Sequence, residues 1–155
     1  MKKYFFLLFI ILLGNNLNAH KYDHNNLIIN HPYTNQIRPG TKNSVFFIKN
    51  ITNNSQKKEE LIKVTTPYAE TVEIHKTIKD NNIMKMRKID KIEIPSNKSI
   101  SLSKNNKNGY HIMLINIDEK LKNKEEFPAT LFFTNRPPKK IMIEVHDKKN
   151  SSHEH

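Results

Sequence analysis

The sequence predicts an all-β protein, a sandwich or barrel of short strands, from three observations. Short runs rich in β-branched and aromatic residues recur along the chain, separated by clusters of Asn, Pro, Ser and Lys. No stretch sustains the apolar period of an amphipathic helix for long enough to suggest a helical bundle. The 155 residues are enough for one domain and too few for two.

The N-terminal segment is predicted to be a secretory signal peptide rather than part of the fold. A positive start is followed by an apolar run of ten residues over 4–13 and by a polar stretch ending in Ala19. Such a run is too short to span about 30 Å of hydrocarbon as a helix. We therefore expect a signal peptide at 1–19, one domain at 20–146 and a flexible His-containing tail at 147–155, in a periplasmic protein without stable membrane insertion.

Ten segments of the expected domain are predicted to be strands. The loop at 80–82 is predicted to close a hairpin, because Asp and Asn tolerate positive φ. One helical turn is expected within 116–126. The predicted strands are 27–29, 44–49, 61–65, 71–77, 84–89, 91–94, 99–102, 110–115, 129–134 and 140–145.

The composition excludes several classes of site. The chain has no cysteine, so disulfides, thiol catalysis, iron–sulfur clusters, Cys-based zinc sites and blue-copper centres are excluded. A lipid anchor at the cleavage point would also need a cysteine. The net charge of +11 is spread along the chain, so nucleic-acid binding is not expected. No catalytic triad or paired-carboxylate motif stands out, and we do not expect an enzyme.

Histidine and methionine carry the strongest chemical pattern. Residues two apart in a strand share a face, so His111 and Met113 point the same way while Ile112 faces the core. His75 lies on an earlier predicted strand, across the hairpin from Met86. Taken singly, a methionine in a strand is usually core filler, and a histidine is usually a surface or hydrogen-bonded residue. Three neighbouring strands would nevertheless bring these four side chains together.

Two imidazoles and two thioethers are a ligand set that suits Cu(I). Cu(I) accepts roughly tetrahedral coordination, and a thioether needs no deprotonation and forms no disulfide in an oxidising compartment. The weak thioether donors would also allow another protein to displace them. The predicted ligands are therefore His75, Met86, His111 and Met113.

The spacing His75-x10-Met86-x24-His111-x-Met113 resembles the H-x10-M-x21-H-x-M pattern of the PCuAC family of periplasmic copper chaperones. The resemblance covers nearly all of 20–145. The neighbouring segments that also resemble the family are MKMR at 84–87, IEIP at 92–95, GYHIML at 109–114, NHPY at 30–33 and RPG at 38–40.

The resemblance implies a cupredoxin-like Greek-key β-sandwich or barrel that carries Cu(I) and helps to assemble the CuA centre of cytochrome c oxidase. The implied partners are oxidase subunit II or another copper assembly protein, met transiently by a monomer. Three departures are visible: the second spacer has 24 residues instead of 21, Thr77 replaces an accessory methionine, and Tyr33 replaces a tryptophan. The extra residues fall within 103–108, where a loop insertion costs little.

Other histidines and one methionine are accessory candidates. Met84 is a possible alternate ligand, and the terminal histidines could form an auxiliary Cu(II) site. His31 is expected to have a structural role. The terminal candidates are His20, His24, His153 and His155.

Three alternatives to copper delivery remain open. The same site would serve a protein that buffers copper instead of delivering it. An N-terminal His20 could form part of a copper brace in an oxidising enzyme, although no second brace histidine is identifiable. A metal-free immunoglobulin-like assembly module would use neither site.

Overall fold

The computed structural model describes residues 21–81, 83–104 and 109–146, and the all-β prediction is confirmed. These residues form eleven strands and one short 3₁₀-helix at Glu119–Asn123. The strands are β1 (Lys21–His24), β2 (Leu27–Asn35), β3 (Asn43–Asn53), β4 (Glu59–Thr65), β5 (Ala69–Asp80), β6 (Ile83–Lys88), β7 (Ile92–Ile94), β8 (Lys98–Leu102), β9 (Tyr110–Ile117), β10 (Glu126–Phe133) and β11 (Lys139–His146).

The strands form one continuous sheet in the order β6-β5-β9-β3-β2-β11-β10-β4-β7, with β1 added to β2 and β8 added to β3. Every pairing is antiparallel except that of β11 with β2. The Asn53 side chain on β3 donates a hydrogen bond of 3.1 Å to the Ile94 carbonyl of β7, at the far end of this order. The sheet is therefore folded over on itself around its inner face.

The inner face supplies one hydrophobic core. Strand β10 shows the alternation that builds it, because every second residue from Phe127 to Phe133 is buried. Each fully buried Phe, Leu or Ile contributes about 1.5–3 kcal/mol of transfer free energy. On β9, Ile112 and Leu114 are completely buried in this core. That burial fixes which face the neighbouring His111 and Met113 occupy.

Two local predictions are confirmed by the backbone. Asn81 has a φ of +48° between β5 and β6, as expected for a hairpin turn. The helical turn expected in 116–126 is the 3₁₀-helix, whose N-cap Asp118 accepts a hydrogen bond of 2.8 Å from the Lys120 amide.

Several boundaries differ from the sequence prediction. Strand β1 was not predicted, because its residues Lys-Tyr-Asp-His have no apolar alternation and it depends on pairing with β2. Strand β2 extends to Asn35 through Pro32, and β10 begins three residues earlier than expected. The predicted segments 1–19 and 147–155 lie outside the described residues, so the domain boundaries stay a prediction.

Candidate metal centre

His75 and His111 lie side by side on two neighbouring strands. They are direct partners in the antiparallel pairing of β5 with β9, and their ring centroids are 5.7 Å apart in an edge-to-face arrangement. The next residues in these strands, Ile74 and Ile112, are buried in the core. The two imidazoles therefore project from the outer face of the sheet.

Each ring has one nitrogen held by a hydrogen bond. His75 donates from Nε2 to Oε2 of Glu73 over 2.8 Å, and His111 donates from Nδ1 to the Gly109 carbonyl over 3.1 Å. The oxygen acceptors assign the proton to those two nitrogens.

The remaining nitrogens are Nδ1 of His75 and Nε2 of His111. Both are buried, and neither has a hydrogen-bond partner within the described part of the chain. Buried polar atoms are nearly always bonded, so two such atoms on adjacent rings need an explanation. Metal-binding histidines commonly donate their other N–H to a carboxylate or a carbonyl, as these two do. The pair therefore offers two lone pairs suited to a metal ion.

The surroundings of the pair shift the pKa values of Glu73 and His111. Lys88 donates a 2.8 Å hydrogen bond to Glu73, and this bond and the one from His75 lower the pKa of the Glu73 carboxyl. Burial lowers the pKa of His111; the hydrogen bond to the Gly109 carbonyl opposes that shift, and nearby His75 adds to it. At neutral pH, Glu73 is therefore an anionic acceptor and His111 is a neutral ring.

Gly109 positions His111 from the start of β9. Its φ is +68°, and an added Cβ would lie 2.4 Å from the Thr77 carbonyl oxygen. The Gly109 carbonyl accepts hydrogen bonds from the Thr77 amide, at 2.9 Å, and from the His111 ring. Only glycine fits this close approach of two backbones.

The predicted methionines lie on the same outer face. Met113 is the direct partner of Glu73 on β5 and is half-buried. Met86 is the partner of Thr77, two residues beyond His75, and 59% of its surface is exposed. The structure therefore brings the four predicted ligands onto three neighbouring strands, with Met86 at the rim.

The accessory candidates lie in different environments. Met84 is the partner of Lys79, is 64% exposed and lines a cleft of about 250 Å³ that also reaches His111. His24 lies on β1, where its ring is buried beside Phe133 and donates a 2.7 Å hydrogen bond to the Pro137 carbonyl. His20, His153 and His155 lie outside the described residues.

Sequence reasoning missed Glu73 and Gly109, although both have a readable signal. Each precedes its histidine by two residues, in Glu-Ile-His and Gly-Tyr-His. Strand parity places Glu73 on the same face as His75. The Gly109 carbonyl depends on a positive φ, which a glycine before a strand indicates only weakly.

Solved structures of other proteins share this fold. The copper-bound PCuAC domain from PmoF2 has a TM-score of 0.67 and 19% identity, over 83% of this chain and 98% of that one. The apo PCuAC domain from PmoF1 gives 0.67 and 22%, over 83% and 99%. The solution structure of CuI-DR1885 from Deinococcus radiodurans gives 0.58 and 20%, over 87% and 86%. The chain has the cupredoxin-like fold of PCuAC domains, as predicted.

The family follows from the sequence match. The model of the LpqE-like lipoprotein family matches residues 27–145, and the chain belongs to that family. This match and the PCuAC neighbours together confirm the predicted PCuAC-type membership. No curated protein sequence matches the chain. Among the described residues, no helix is long and apolar enough to cross a membrane.

Proposed function

We propose that this protein is a periplasmic copper chaperone that carries Cu(I) on His75, His111, Met86 and Met113. The observation that supports it most is the pair of buried ring nitrogens that have no hydrogen-bond partner among the described residues, on rings whose other nitrogens are held by Glu73 and Gly109. Two nitrogen and two thioether donors form a neutral, soft ligand set, which favours Cu(I) over divalent ions. The copper-bound domains that share this fold are consistent with the proposal.

The exposure of the donors favours delivery over permanent storage. Both histidine rings are mostly buried, whereas Met86 is more than half exposed at the sheet edge. A partner can therefore approach Met86 first and displace it, while the two imidazoles still hold the ion. We propose the CuA centre of oxidase subunit II, or an assembly factor for it, as the recipient. The apolar run at 4–13 supports export to the periplasm.

A chelator competition with the mature chain, residues 20–155, tests the binding site. We expect one tightly bound Cu(I) per chain. The double variant His111→Ala, Met113→Ala should lose at least tenfold in affinity, equivalent to about 1.4 kcal/mol. Met142→Leu is the matched control, because Met142 lies on β11 outside the three strands of the site. Unchanged affinity in the double variant would overturn the assignment.

Delivery and buffering are separated by a deletion strain grown at low and at high copper. Loss of oxidase activity at low copper, restored by the wild-type gene and not by the double variant, supports delivery. Copper sensitivity with normal oxidase activity would instead identify a buffering protein. Mixing the Cu(I)-loaded chain with an apo CuA domain and then adding a one-electron oxidant tests direct transfer, since the oxidised, mixed-valence CuA centre absorbs visible light whereas its all-Cu(I) form does not.

A further inference from the structure

A second group of metal-binding side chains lies on the same outer face, on β2 and β11. His31, Glu144 and His146 each offer one donor atom, and these atoms all lie within 4.8 Å of one another. Oε2 of Glu144 is 3.7 Å from Nδ1 of His31 and 3.6 Å from Nε2 of His146. Donors bound to one zinc or copper ion at about 2.0–2.1 Å lie roughly 3.3 Å apart. Small side-chain movements would therefore bring the three donors to bonding distance.

The group is separate from the first centre. Strand β3 lies between β2 and β9, which carries His111. Neighbouring strands are about 4.8 Å apart, so His31 is on the order of 10 Å from β9. Histidines of the two centres therefore cannot share one ion.

An unusual backbone conformation directs His31 to this face. On β2, Leu27 and Ile29 are buried, and then Pro32 and Thr34 are buried, so the alternation reverses between them. His31 lies at the reversal with a φ of +49°, a left-handed conformation that costs a non-glycine residue about 1–2 kcal/mol. The reversal turns His31 and Tyr33 outward, towards the side chains of β11.

An aromatic stack holds the rings in place. The Tyr33 ring lies 5.0 Å from the His146 ring at an interplanar angle of 16°, and 5.4 Å from the His31 ring at 27°. Tyr33 also packs against Phe47 on β3. Rings that are held before an ion arrives lose less conformational entropy when it binds. The ligand side chains remain 28–42% exposed, so an ion can reach them from solvent.

We propose that His31, Glu144 and His146 form a second metal site, for a divalent ion, with Cu(II) bound most tightly. Two imidazoles and a carboxylate are harder donors than the thioethers of the first centre, and they suit Cu(II) or Zn(II). Copper(II) heads the affinity order of the divalent first-row ions for such a set. Three protein ligands leave a further coordination position for water. One sheet face thus carries a site for each oxidation state of copper.

The location is tested by NMR of the uniformly ¹⁵N-labelled mature chain with Cu(II) alone as the probe. At substoichiometric Cu(II), paramagnetic broadening should begin at residues 31–33 and 144–146. Broadening that begins at 20–24 or at 153–155 would assign the ion to the chain termini and overturn the proposal. Broadening centred on His75 and His111 would overturn it equally.

The donors are tested by Cu(II) affinity in variants, measured by calorimetry with Zn(II) as a second probe. His31→Asn combined with Glu144→Gln should weaken Cu(II) binding at least tenfold. Glu126→Gln is the matched control, because Glu126 is the direct partner of Glu144 on β10 and lies outside the group of three. It removes the same charge and should leave the affinity unchanged. Equal losses in both variants would mean general electrostatic attraction rather than a site.

The two proposed metal sites can be tested independently of each other. The His31 and Glu144 variant should keep one Cu(I) per chain, and the His111 and Met113 variant should keep its Cu(II) affinity. Circular dichroism of each variant checks that the sheet is intact. If the double change unfolds the chain, His146→Asn alone provides the same comparison from β11.

Discussion

The substitution Gly109→Ala tests how closely the two backbones of the metal centre approach each other. Gly109 has a positive φ, and a Cβ there would lie 2.4 Å from the Thr77 carbonyl oxygen. Gly40, in the turn between β2 and β3, also has a positive φ, but an added Cβ would meet no atom of the described residues within 4 Å. The pair of substitutions therefore separates backbone strain from steric conflict.

The two substitutions should differ in the free energy of unfolding. At Gly40 only the left-handed conformation is penalised, by about 1–2 kcal/mol, and the stiffer unfolded chain returns about 0.4–1 kcal/mol. At Gly109 the same terms apply, and the backbone must also move away from Thr77, which costs roughly 1–3 kcal/mol by analogy with overpacking. Gly109→Ala should thus be about 1–3 kcal/mol less stable than Gly40→Ala.

Urea unfolding and Cu(I) competition give two independent measurements of this effect. With a denaturant slope of about 1–3 kcal/mol/M, the midpoint of Gly109→Ala should fall clearly below that of Gly40→Ala. Moving the Gly109 carbonyl also weakens its bond to His111, and loss of such supporting bonds lowers metal affinity about 10–100-fold. Identical midpoints and affinities for the two variants would refute the described packing of β9 against β5.

Three further predictions concern the same strands. Glu73→Ala should lower Cu(I) affinity about 10-fold or more, and Glu73→Gln should lower it less, because glutamine still offers an acceptor to His75. Equal affinities of the wild type and both variants in a chelator competition would contradict the role of Glu73. NMR titration of the apo protein should place the pKa of His111 below 6.5, and a pKa above 6.5 would contradict this. The contribution of the neutral His111 ring to the free energy of unfolding is then fully present above the pKa of the unfolded chain, and it is lost as the pH falls through the lower pKa of the folded protein. Ile112→Ala should cost about 2–5 kcal/mol in urea unfolding and the exposed control Ile83→Ala under about 0.5, whereas similar costs would show that Ile112 is not packed as described.

Local sequence patterns predicted which side chains of the first centre share a face of the sheet. The parity of β9 placed Ile112 and Leu114 in the core and His111 with Met113 on the opposite face, and the observed burial agrees. The hairpin at Asn81 then limited how β6 could lie beside β5. The placement of β9 beside β5 was a hypothesis from the shared chemistry of their residues, which family resemblance supported, because the strands are separated by β6, β7 and β8 in the chain.

The second group could not be predicted, for two physical reasons. His31 is a histidine in a left-handed conformation, and its sequence context does not reveal that the face of the strand reverses there. Its partners lie more than a hundred residues later, and they reach it only through the parallel pairing of β11 with β2. Sequence reasoning gave His31 a structural role.

The antiparallel register explains why the first centre has similar parts at both ends. Because His75 lies opposite His111, the residue two before each histidine lies beside the residue two after the other. Glu73 therefore meets Met113 at one end, and Gly109 meets Thr77 at the other, where Thr77 is also the partner of Met86.

Each end thus combines one acceptor for a histidine N–H with one methionine. A slip of one residue would turn every side chain of one strand to the other face and would place His111 in the apolar core in place of Ile112. Moving the imidazole and its hydrogen-bonding groups from the outer face into the apolar core would cost several kcal/mol, in addition to the lost burial of Ile112. The same core residues that stabilise the sheet therefore also fix the register on which the proposed copper ligands depend.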